Sequence, residues 1–424
     1  MDFINNQCNR LSRFSEKEVF KYILLFSILG LSSGIRYIEE YKFLGIIKDI
    51  FMVVTPIILL IIIINKKQLN RCKRGVNLLF ILTAVFALVS SIWSQEPMVT
   101  FKNGILLGST TIIAIYMALN FTKEEIFEML LLWFIAIVAI NLVLIVFKIG
   151  NIYDVQEVRY KSVVKGIFKH RNLLGFYMTL AMGLNLWFVL YKCEGEAMKN
   201  VCTATIIVSI IILYMSKSMT SMILAVGMFI LVFITKFKKV RKIIIYGIIP
   251  ALILVIYMII YQPQWYVDLL ALIGRTPDLT DRDVIWRGVI AGIQTKPLLG
   301  YGYTGYWTNN IYSVNFVAKF YGGFPNHAHN GYLEILLDFG VIGATIIVAN
   351  FAIIMNKIKK MGDIAKGNDL VYVNFILAFV TFMLCYNLIE SPLVRHMSTI
   401  YILFILFFNI VEGIYSRSKI KEDN

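Results

Sequence analysis

Residues 43–64 of this 424-residue chain read FLGIIKDIFMVVTPIILLIIII, and Lys48 and Asp49 are the only charged residues in the run. A helix needs about 20 predominantly apolar residues to cross the hydrocarbon core of a bilayer. Within that core water cannot satisfy backbone N–H and C=O groups, so such a segment is stable as a helix. The stretch therefore predicts a membrane-spanning helix and decides the class of fold.

Similar stretches recur along the whole chain, which is 58% hydrophobic and has a mean hydropathy of +0.74. Residues 1–424 are therefore predicted to form a single all-α, polytopic transmembrane domain. Arg10, Arg13 and Lys17 precede an ordinary span without a small-residue cleavage site, so we expect no cleavable signal peptide. The twelve candidate spans lie near 19–35, 43–64, 76–93, 103–121, 126–147, 172–191, 201–215, 219–235, 243–261, 332–355, 370–389 and 397–415.

Lys and Arg are concentrated in every second connection between these spans. Because cytoplasmic loops are enriched in basic residues, the pattern predicts a multi-pass protein of the cytoplasmic (inner) membrane with both termini in the cytoplasm. The net charge of +15 mostly reflects this orientation, and nucleic acid is not an expected partner. All four histidines then fall in outer segments or at their edges. None of the five cysteines lies in an outer loop, so we expect no extracytoplasmic disulfide.

One connection is much longer than the others, the predicted extracytoplasmic loop 262–331 between spans nine and ten. A loop of that length is usually functional or has structure of its own. Apolar residues recur at helical spacing across 284–295, which predicts a short amphipathic helix on the membrane surface. Gly300 to Gly305 match G-x-G-x-x-G without a preceding strand. We therefore interpret 299–307 as a turn whose tyrosines lie at the interface and could stack on sugar rings.

Two histidines, His327 and His329, precede the tenth span. If its helix starts near Asn330, then Asn330, Glu334 and Asp338 share one face at i+4 steps. One further turn back adds His327 to that stripe and puts His329 on a different side. The two submerged carboxylates need partners, which arginines or histidines at the helix mouth could provide.

A histidine pair could act in two ways here. An ordinary imidazole, with a pKa near 6.5, suits a general base that removes a hydroxyl proton. His-x-His could instead bind a metal, with a third ligand from His170, His396 or the acidic run 278–283. Because the surroundings are strongly basic, we favour the base and expect no metal.

A second set consists of Lys and Arg residues in the predicted outer segments, although basic residues are usually concentrated on the cytoplasmic side. Arg can clamp phosphate with two parallel hydrogen bonds, and a diphosphate rewards several such contacts. Attraction to lipid headgroups is the alternative for any single residue, but the set favours a polyanionic substrate. Its members are Arg159, Lys161, Lys165, Lys169, Arg171, Lys217, Arg282 and Arg287.

Four motifs occur between residues 160 and 345. His329 and Asn330, followed after nine residues by Gly340 and then Gly343, fit the pattern His-[Asn/Ser/Gln]-x9-Gly-x2-[Gly/Thr/Tyr]. Arg282 precedes Trp286 by four residues, and Pro-Leu-Leu-Gly-Tyr-Gly follows at 297–302. Residues 166–172 look like a Gly-x-Phe-x-x-Pro-Asn entry to a span, with Arg171 in place of Pro. Ser216-Lys217-Ser218 stands where Ser-Arg-Gly is common. Together these motifs resemble the bacterial O-antigen ligase and O-antigen polymerase superfamily.

The resemblance implies a metal-independent, inverting membrane glycosyltransferase of C-type architecture that needs no cofactor and acts outside the cytoplasmic membrane. Its donor would be an oligosaccharide on undecaprenyl diphosphate, and its acceptor would be a glycan hydroxyl. Its other partners would be the lipid bilayer and polysaccharide-assembly proteins. His329 would be the catalytic base, and Arg282 would hold the diphosphate with Lys217 and one of Arg159, Lys165 or Arg171. The binding set is completed by Asn172, His327, Asn330 and Glu334.

Several alternatives stay open from the sequence. The abundance of Ile and Lys hints at a low-GC genome without lipopolysaccharide, and this favours a polymerase of a surface polysaccharide. A ligase that moves a finished glycan to another acceptor would use the same motifs. A transporter of lipid-linked oligosaccharide would place ionisable groups near the midplane. An acid of the first outer loop, Glu39 or Glu40, could be the base instead. An inert scaffold for polysaccharide assembly is the last possibility.

Overall fold

A computed structural model describes residues 16–72, 75–154, 163–272, 282–307 and 327–423. Within these ranges most of the chain is helical, and the β-pairing consists of two isolated bridges, Ile35 with Phe168 and Tyr153 with Val164. Short turns of helix lie at Tyr37–Glu40, Leu69–Cys72 and Ser90–Ile92. The longer helices are α1 (Glu16–Ser32), α2 (Lys42–Asn65), α3 (Gly75–Val89), α4 (Pro97–Asn120), α5 (Lys123–Val146), α6 (Arg171–Tyr191), α7 (Glu196–Met215), α8 (Met219–Ile234), α9 (Lys238–Tyr261), α10 (Gln264–Leu272), α11 (Arg282–Thr295), α12 (Gly331–Ile364), α13 (Gly367–Tyr386) and α14 (Thr399–Asp423).

Each predicted span coincides with one of these helices. In the described ranges ten helices are long and apolar enough to cross a membrane, namely α2 to α7, α9 and α12 to α14, where α3 is counted together with the turn Ser90–Ile92 that continues it. The other two predicted spans are α1, with 17 residues, and α8, with 16. The prediction of an all-α polytopic membrane protein is therefore confirmed, and the number of twelve crossings stays a prediction.

Burial orders the helices from the centre of the bundle to its rim. Of the spanning windows, 83% of α6, 72% of α14 and 67% of α13 is buried, compared with 22% of α2 and 11% of α9. The centre is aromatic, with Phe127, Trp187 and Phe375 in mutual ring contact. Apolar side chains such as Ile57 and Ile253 are exposed on the rim helices, where lipid tails would be as apolar as the side chains.

Polar contacts separate the two ends of the bundle. At one end, ion pairs join segments at or near the predicted cytoplasmic side: Lys21–Glu125, Lys123–Asp369 and Lys357–Glu412. At the other end, hydrogen bonds join predicted outer segments: Asn103–Thr304, Arg171–Lys217 and Tyr303–His396. The outer segments therefore meet at one end, and which end faces outward stays a prediction.

Helix α12 is interrupted at Gly340, whose φ of 60° and ψ of −169° are not helical. An interruption inside a span needs other groups to satisfy the freed backbone. The segment 297–302 provides them through four backbone hydrogen bonds: Val341 N–H to Pro297, Ile342 N–H to Leu298, Tyr301 N–H to Leu337 and Gly302 N–H to Asp338. Two sequence motifs, the 297–302 run and Gly340, are thus parts of one packing arrangement.

Substitution of Gly340 by alanine should strongly destabilise the fold. The added Cβ would overlap the carbonyl oxygen of Leu298, and the left-handed backbone is strained for any residue with a Cβ. We expect the free energy of unfolding to fall by about 2 kcal/mol or more, seen as a lower melting temperature of the purified protein in detergent. Gly227→Ala in α8 is the control, because its Cβ would meet no atom within 4 Å. Equal melting temperatures for the two variants would show that the packing of 297–302 does not require glycine at position 340.

Two expectations for the long loop need correction. The predicted amphipathic helix exists as α11, but the apolar residues Ile285, Trp286 and Val289 are buried against Leu337 of α12 and not presented to a membrane surface. Tyr301 and Tyr303 are also buried, at 7% and 0% exposure, and so cannot form an interfacial belt or stack on sugars. The reason is the same for both: the loop packs into the interruption of α12.

Candidate functional site

The site is built on the turn that leads into α12. Asn330 caps the helix, because its side-chain oxygen accepts hydrogen bonds from the amides of Tyr332 and Leu333. The predicted start of the helix is confirmed. His329 adopts a left-handed backbone with φ of 50°, and its ring centroid lies 3.8 Å from that of His327. Both imidazoles therefore face one side, and the expected helical stripe that separates them is wrong because the helix begins after them.

Glu390, in the segment between α13 and α14, is the group that both imidazoles face. Its Oε2 lies 3.7 Å from Nε2 of His327 and 3.7 Å from Nδ1 of His329. Its Oε1 lies 3.7 Å from a guanidinium nitrogen of Arg282 and accepts a hydrogen bond of 3.3 Å from the Asn172 amide. The Glu390 side chain is only 16% exposed. One carboxylate thus gathers four of the predicted site residues from three separate parts of the chain.

The charges of this cluster set its protonation. Burial alone would raise the pKa of Glu390, but its interactions with His329, Arg282 and His327 outweigh burial and lower the pKa to about 2. Burial, together with repulsion from His329, lowers the pKa of His327 to about 4. At neutral pH the cluster therefore contains an ionised carboxylate and a neutral His327 beside the Arg282 guanidinium.

The peptide between the two histidines is held from both sides. The amide of Ala328 donates to Oε2 of Glu334 at 2.6 Å, and the Ala328 carbonyl accepts from the indole of Trp286 at 2.9 Å. The other oxygen of Glu334 accepts from the indole of Trp307 at 2.7 Å. The partners of Glu334 are thus an amide and an indole, not the expected arginine or histidine. The spacing of Arg282 and Trp286 on α11 places the guanidinium beside Glu390 and the indole at the Ala328 carbonyl.

Removal of the indole hydrogen bond should loosen the turn without unfolding the protein. Trp286→Phe keeps an apolar ring but leaves the Ala328 carbonyl without its donor, which costs about 1 kcal/mol. We expect amide hydrogen exchange in the turn 327–330 to become about fivefold faster, the ratio that corresponds to about 1 kcal/mol, as measured by mass spectrometry on the full-length protein. Trp265→Phe in α10 is the control, since Trp265 is 54% exposed. Wild-type exchange in this turn for Trp286→Phe would show that the indole hydrogen bond is dispensable.

The second predicted set meets the cluster through the start of α6. Asn172 donates to Glu390 and accepts a hydrogen bond of 3.1 Å from Ser218, while the Arg171 guanidinium donates to the Lys217 carbonyl at 3.1 Å. The entry motif of α6 and the Ser216-Lys217-Ser218 turn are therefore neighbours.

The structure also gives the location of three other predicted cations. Lys165 is half-buried and Lys169 is exposed in the segment before α6, and Arg287 lies on α11. Arg159 and Lys161 lie outside the described residues. Diphosphate contacts by Lys165, Arg171 and Lys217 stay predictions, as do direct substrate contacts by Asn330 and Glu334, whose side chains hydrogen-bond the protein's own backbone.

The expected third partners of a histidine metal site lie elsewhere. His170 caps α6 through its ring nitrogen, and His396 is held by the Tyr303 hydroxyl. Burial, with the nearby Arg395, Lys48 and Lys102, lowers the pKa of His396 to about 3. Residues 278–281 lie outside the described ranges. Glu390 is the carboxylate that meets the pair, and sequence reasoning missed it, although an acid in the last short outer segment of a strongly basic face was a usable signal.

The fold and the site define a polytopic helical membrane protein with a His–Glu–Arg cluster at one end of its bundle. Residues 204–348 match the family described as O-Antigen ligase, a region that runs from α7 into α12 and contains Lys217, Arg282 and both histidines. The chain is 28% identical over 121 residues to a "Putative polysaccharide ligase" of Rickettsia felis, covering 27% of this chain and 29% of that protein.

It is also 24% identical over 279 residues to the "Exopolysaccharide production protein ExoQ" of Rhizobium meliloti, covering 62% of this chain and 61% of that protein. The matches thus span less than two thirds of either relative. They confirm the resemblance to the O-antigen ligase superfamily that the motifs predict.

Proposed function

We propose that this protein is a glycosyltransferase that moves an oligosaccharide from undecaprenyl diphosphate onto a sugar hydroxyl at the outer face of the cytoplasmic membrane. The observation that carries the proposal is the meeting of Arg282, His327, His329 and Asn172 at Glu390. A base for a hydroxyl and a cation for a departing diphosphate stand side by side there.

His329 is the general base of the proposed reaction. Glu390 faces Nδ1 of His329, which favours the tautomer with its proton on Nδ1 and a lone pair on Nε2. The acceptor oxygen attacks the anomeric carbon while its proton moves to Nε2. The ionised Glu390 stabilises the imidazolium that forms. The imidazolium then loses its proton to solvent, which restores the base.

Arg282 acts on the leaving group. As the bond between the anomeric carbon and the diphosphate oxygen breaks, the electron pair goes to the diphosphate, and a guanidinium can hold that charge with two hydrogen bonds. Attack opposite to the leaving group inverts the anomeric centre. The step needs no metal or nucleotide, because the donor is already activated by its diphosphate.

Transport is the weaker candidate. A transporter usually gathers its ionisable groups near the midplane on interrupted helices. Helix α12 is interrupted, but the 297–302 segment fills the gap, and the His–Glu–Arg cluster lies at the end of the bundle. A base in the first outer loop is also less favoured. Glu40 is exposed at the end of a short helical turn, whereas His329 faces the Glu390 carboxylate within the cluster.

The test is a reconstituted reaction. Purified protein in lipid is incubated with undecaprenyl-diphosphate-linked repeat units, with and without a separate glycan acceptor, and the products are resolved by size. A ladder on the carrier lipid identifies the favoured polymerase, and a single block on the acceptor identifies a ligase. Movement of donor across proteoliposomes without a new glycosidic bond would identify a transporter and refute the proposal.

A further inference from the structure

The His327–His329–Glu390 cluster has a second chemical capacity. Its two imidazole–carboxylate distances are both 3.7 Å, which is too long for a good hydrogen bond, and they join two nitrogens to one carboxylate oxygen. One ligand atom from each of the three residues lies within 4.8 Å of the others. The Nδ1 atoms of both histidines are buried and make no hydrogen bond within the described residues.

These distances fit a small transition-metal ion. In a tetrahedral site with ligands at about 2.0–2.1 Å, neighbouring ligand atoms are about 3.3 Å apart. The two distances of 3.7 Å to Glu390 therefore need a shift of only a few tenths of an ångström, and the two nitrogens lie within 4.8 Å of each other. Two imidazoles and a carboxylate, with one position left for water, form a ligand set typical of Zn²⁺ and are poor ligands for Mg²⁺ or Ca²⁺.

We propose that the His327–His329–Glu390 cluster binds Zn²⁺ reversibly and that the bound ion switches off glycan transfer. The ion would take Nε2 of His327, Nδ1 of His329 and Oε2 of Glu390, while Oε1 stays with Asn172 and Arg282. The binding half of this proposal follows from the geometry alone. The inhibitory half rests on the proposed function.

The inhibition follows from the tautomer of His329. A metal on Nδ1 requires the lone pair of that nitrogen, so the imidazole proton moves to Nε2. Nε2 then has no lone pair with which to accept the proton of the acceptor hydroxyl. The ion also places positive charge beside Arg282. It offsets the negative charge of the Glu390 carboxylate, which would otherwise stabilise the imidazolium. No proton is gained or lost overall when the neutral ring changes tautomer.

The binding test uses the metal alone. Full-length protein in lipid nanodiscs is titrated with Zn²⁺ and measured by calorimetry and by metal analysis after dialysis, and Co²⁺ is added separately to record its visible ligand-field spectrum. We expect one ion per chain with a tetrahedral Co²⁺ spectrum. Both should be lost in Glu390→Gln and His327→Ala and kept in His170→Asn, which retains a helix cap and lies outside the cluster.

The activity test uses the same preparations with the lipid-linked donor. Stoichiometric Zn²⁺ should lower the transfer rate of wild-type protein about 100-fold, the scale of losing a general base, and a chelator should restore it. Absence of binding, or binding unchanged in Glu390→Gln, would overturn the site. Bound Zn²⁺ that leaves the rate unchanged or raises it would overturn the inhibition. A preparation without transfer before metal is added would instead count against the proposed function, and the binding result would still stand or fall on its own.

Discussion

Replacement of His329 by alanine should lower the rate of glycan transfer by about 10²- to 10⁴-fold, the usual contribution of a general base. The acceptor hydroxyl would then have no group to take its proton as it attacks. The melting temperature should stay close to wild type, because the His329 side chain is 30% exposed and makes its one described polar contact with Glu390. The rate is measured in a single turnover with saturating donor, so that weaker binding does not contribute.

His170→Asn is the matched control for this prediction. It removes another histidine from the same end of the bundle while keeping a side chain that can cap α6. Its rate should be close to wild type. If the alanine variant of His329 made full-length polymer at the normal rate, the base would lie elsewhere, and Glu40→Gln would be the next variant to examine.

Arg282→Gln should lower kcat by about 10²- to 10³-fold, the scale seen when one donor to a developing negative charge is removed. Arg282→Lys should fall between this variant and wild type, since an ammonium keeps the charge but lacks the planar fork. The order wild type, lysine, glutamine is the informative result, because a purely steric role would not rank the two variants by charge. Transfer rates and donor affinity are measured in parallel.

Arg417→Lys is the control for the arginine series. Arg417 is 62% exposed and pairs with Asp369 at the opposite end of the bundle, so its replacement should leave transfer unchanged. Equal activity for Arg282→Gln and wild type would remove the diphosphate role from this residue and leave Lys165, Arg171 and Lys217 as the remaining candidates in the described ranges.

The helices and the location of the site could be predicted because both depend on local sequence. Apolar runs such as 43–64 specify spans by length alone, and Asn330 specifies the start of α12 through its cap. The histidine motif and the Arg282–Trp286 spacing were visible for the same reason. Each is a short pattern within one segment of the chain.

The contacts of the site could not be predicted, because they join distant segments. Glu390 lies 61 positions after His329 in the numbering, and no periodicity connects them. The helical stripe failed because His329 has a left-handed backbone outside the helix. The tyrosines of 299–307 were misplaced because an apolar run does not reveal that Gly340 interrupts α12 and admits another segment. Hydropathy records how apolar a residue is and does not record what covers it.

If Glu390 organises His329 and Arg282 into one centre for glycan transfer, as we propose, the reaction depends on its negative charge. The most direct test is the single-turnover rate of glycosidic-bond formation by Glu390→Gln, with Glu412→Gln, from the ion pair with Lys357, as the control. Gln keeps the shape but removes the charge that orients the imidazole and stabilises its protonated form. We predict a fall of about 10- to 100-fold for Glu390→Gln in folded protein, with the control unchanged. A wild-type rate for Glu390→Gln would show that the Glu390 carboxylate has no role in transfer.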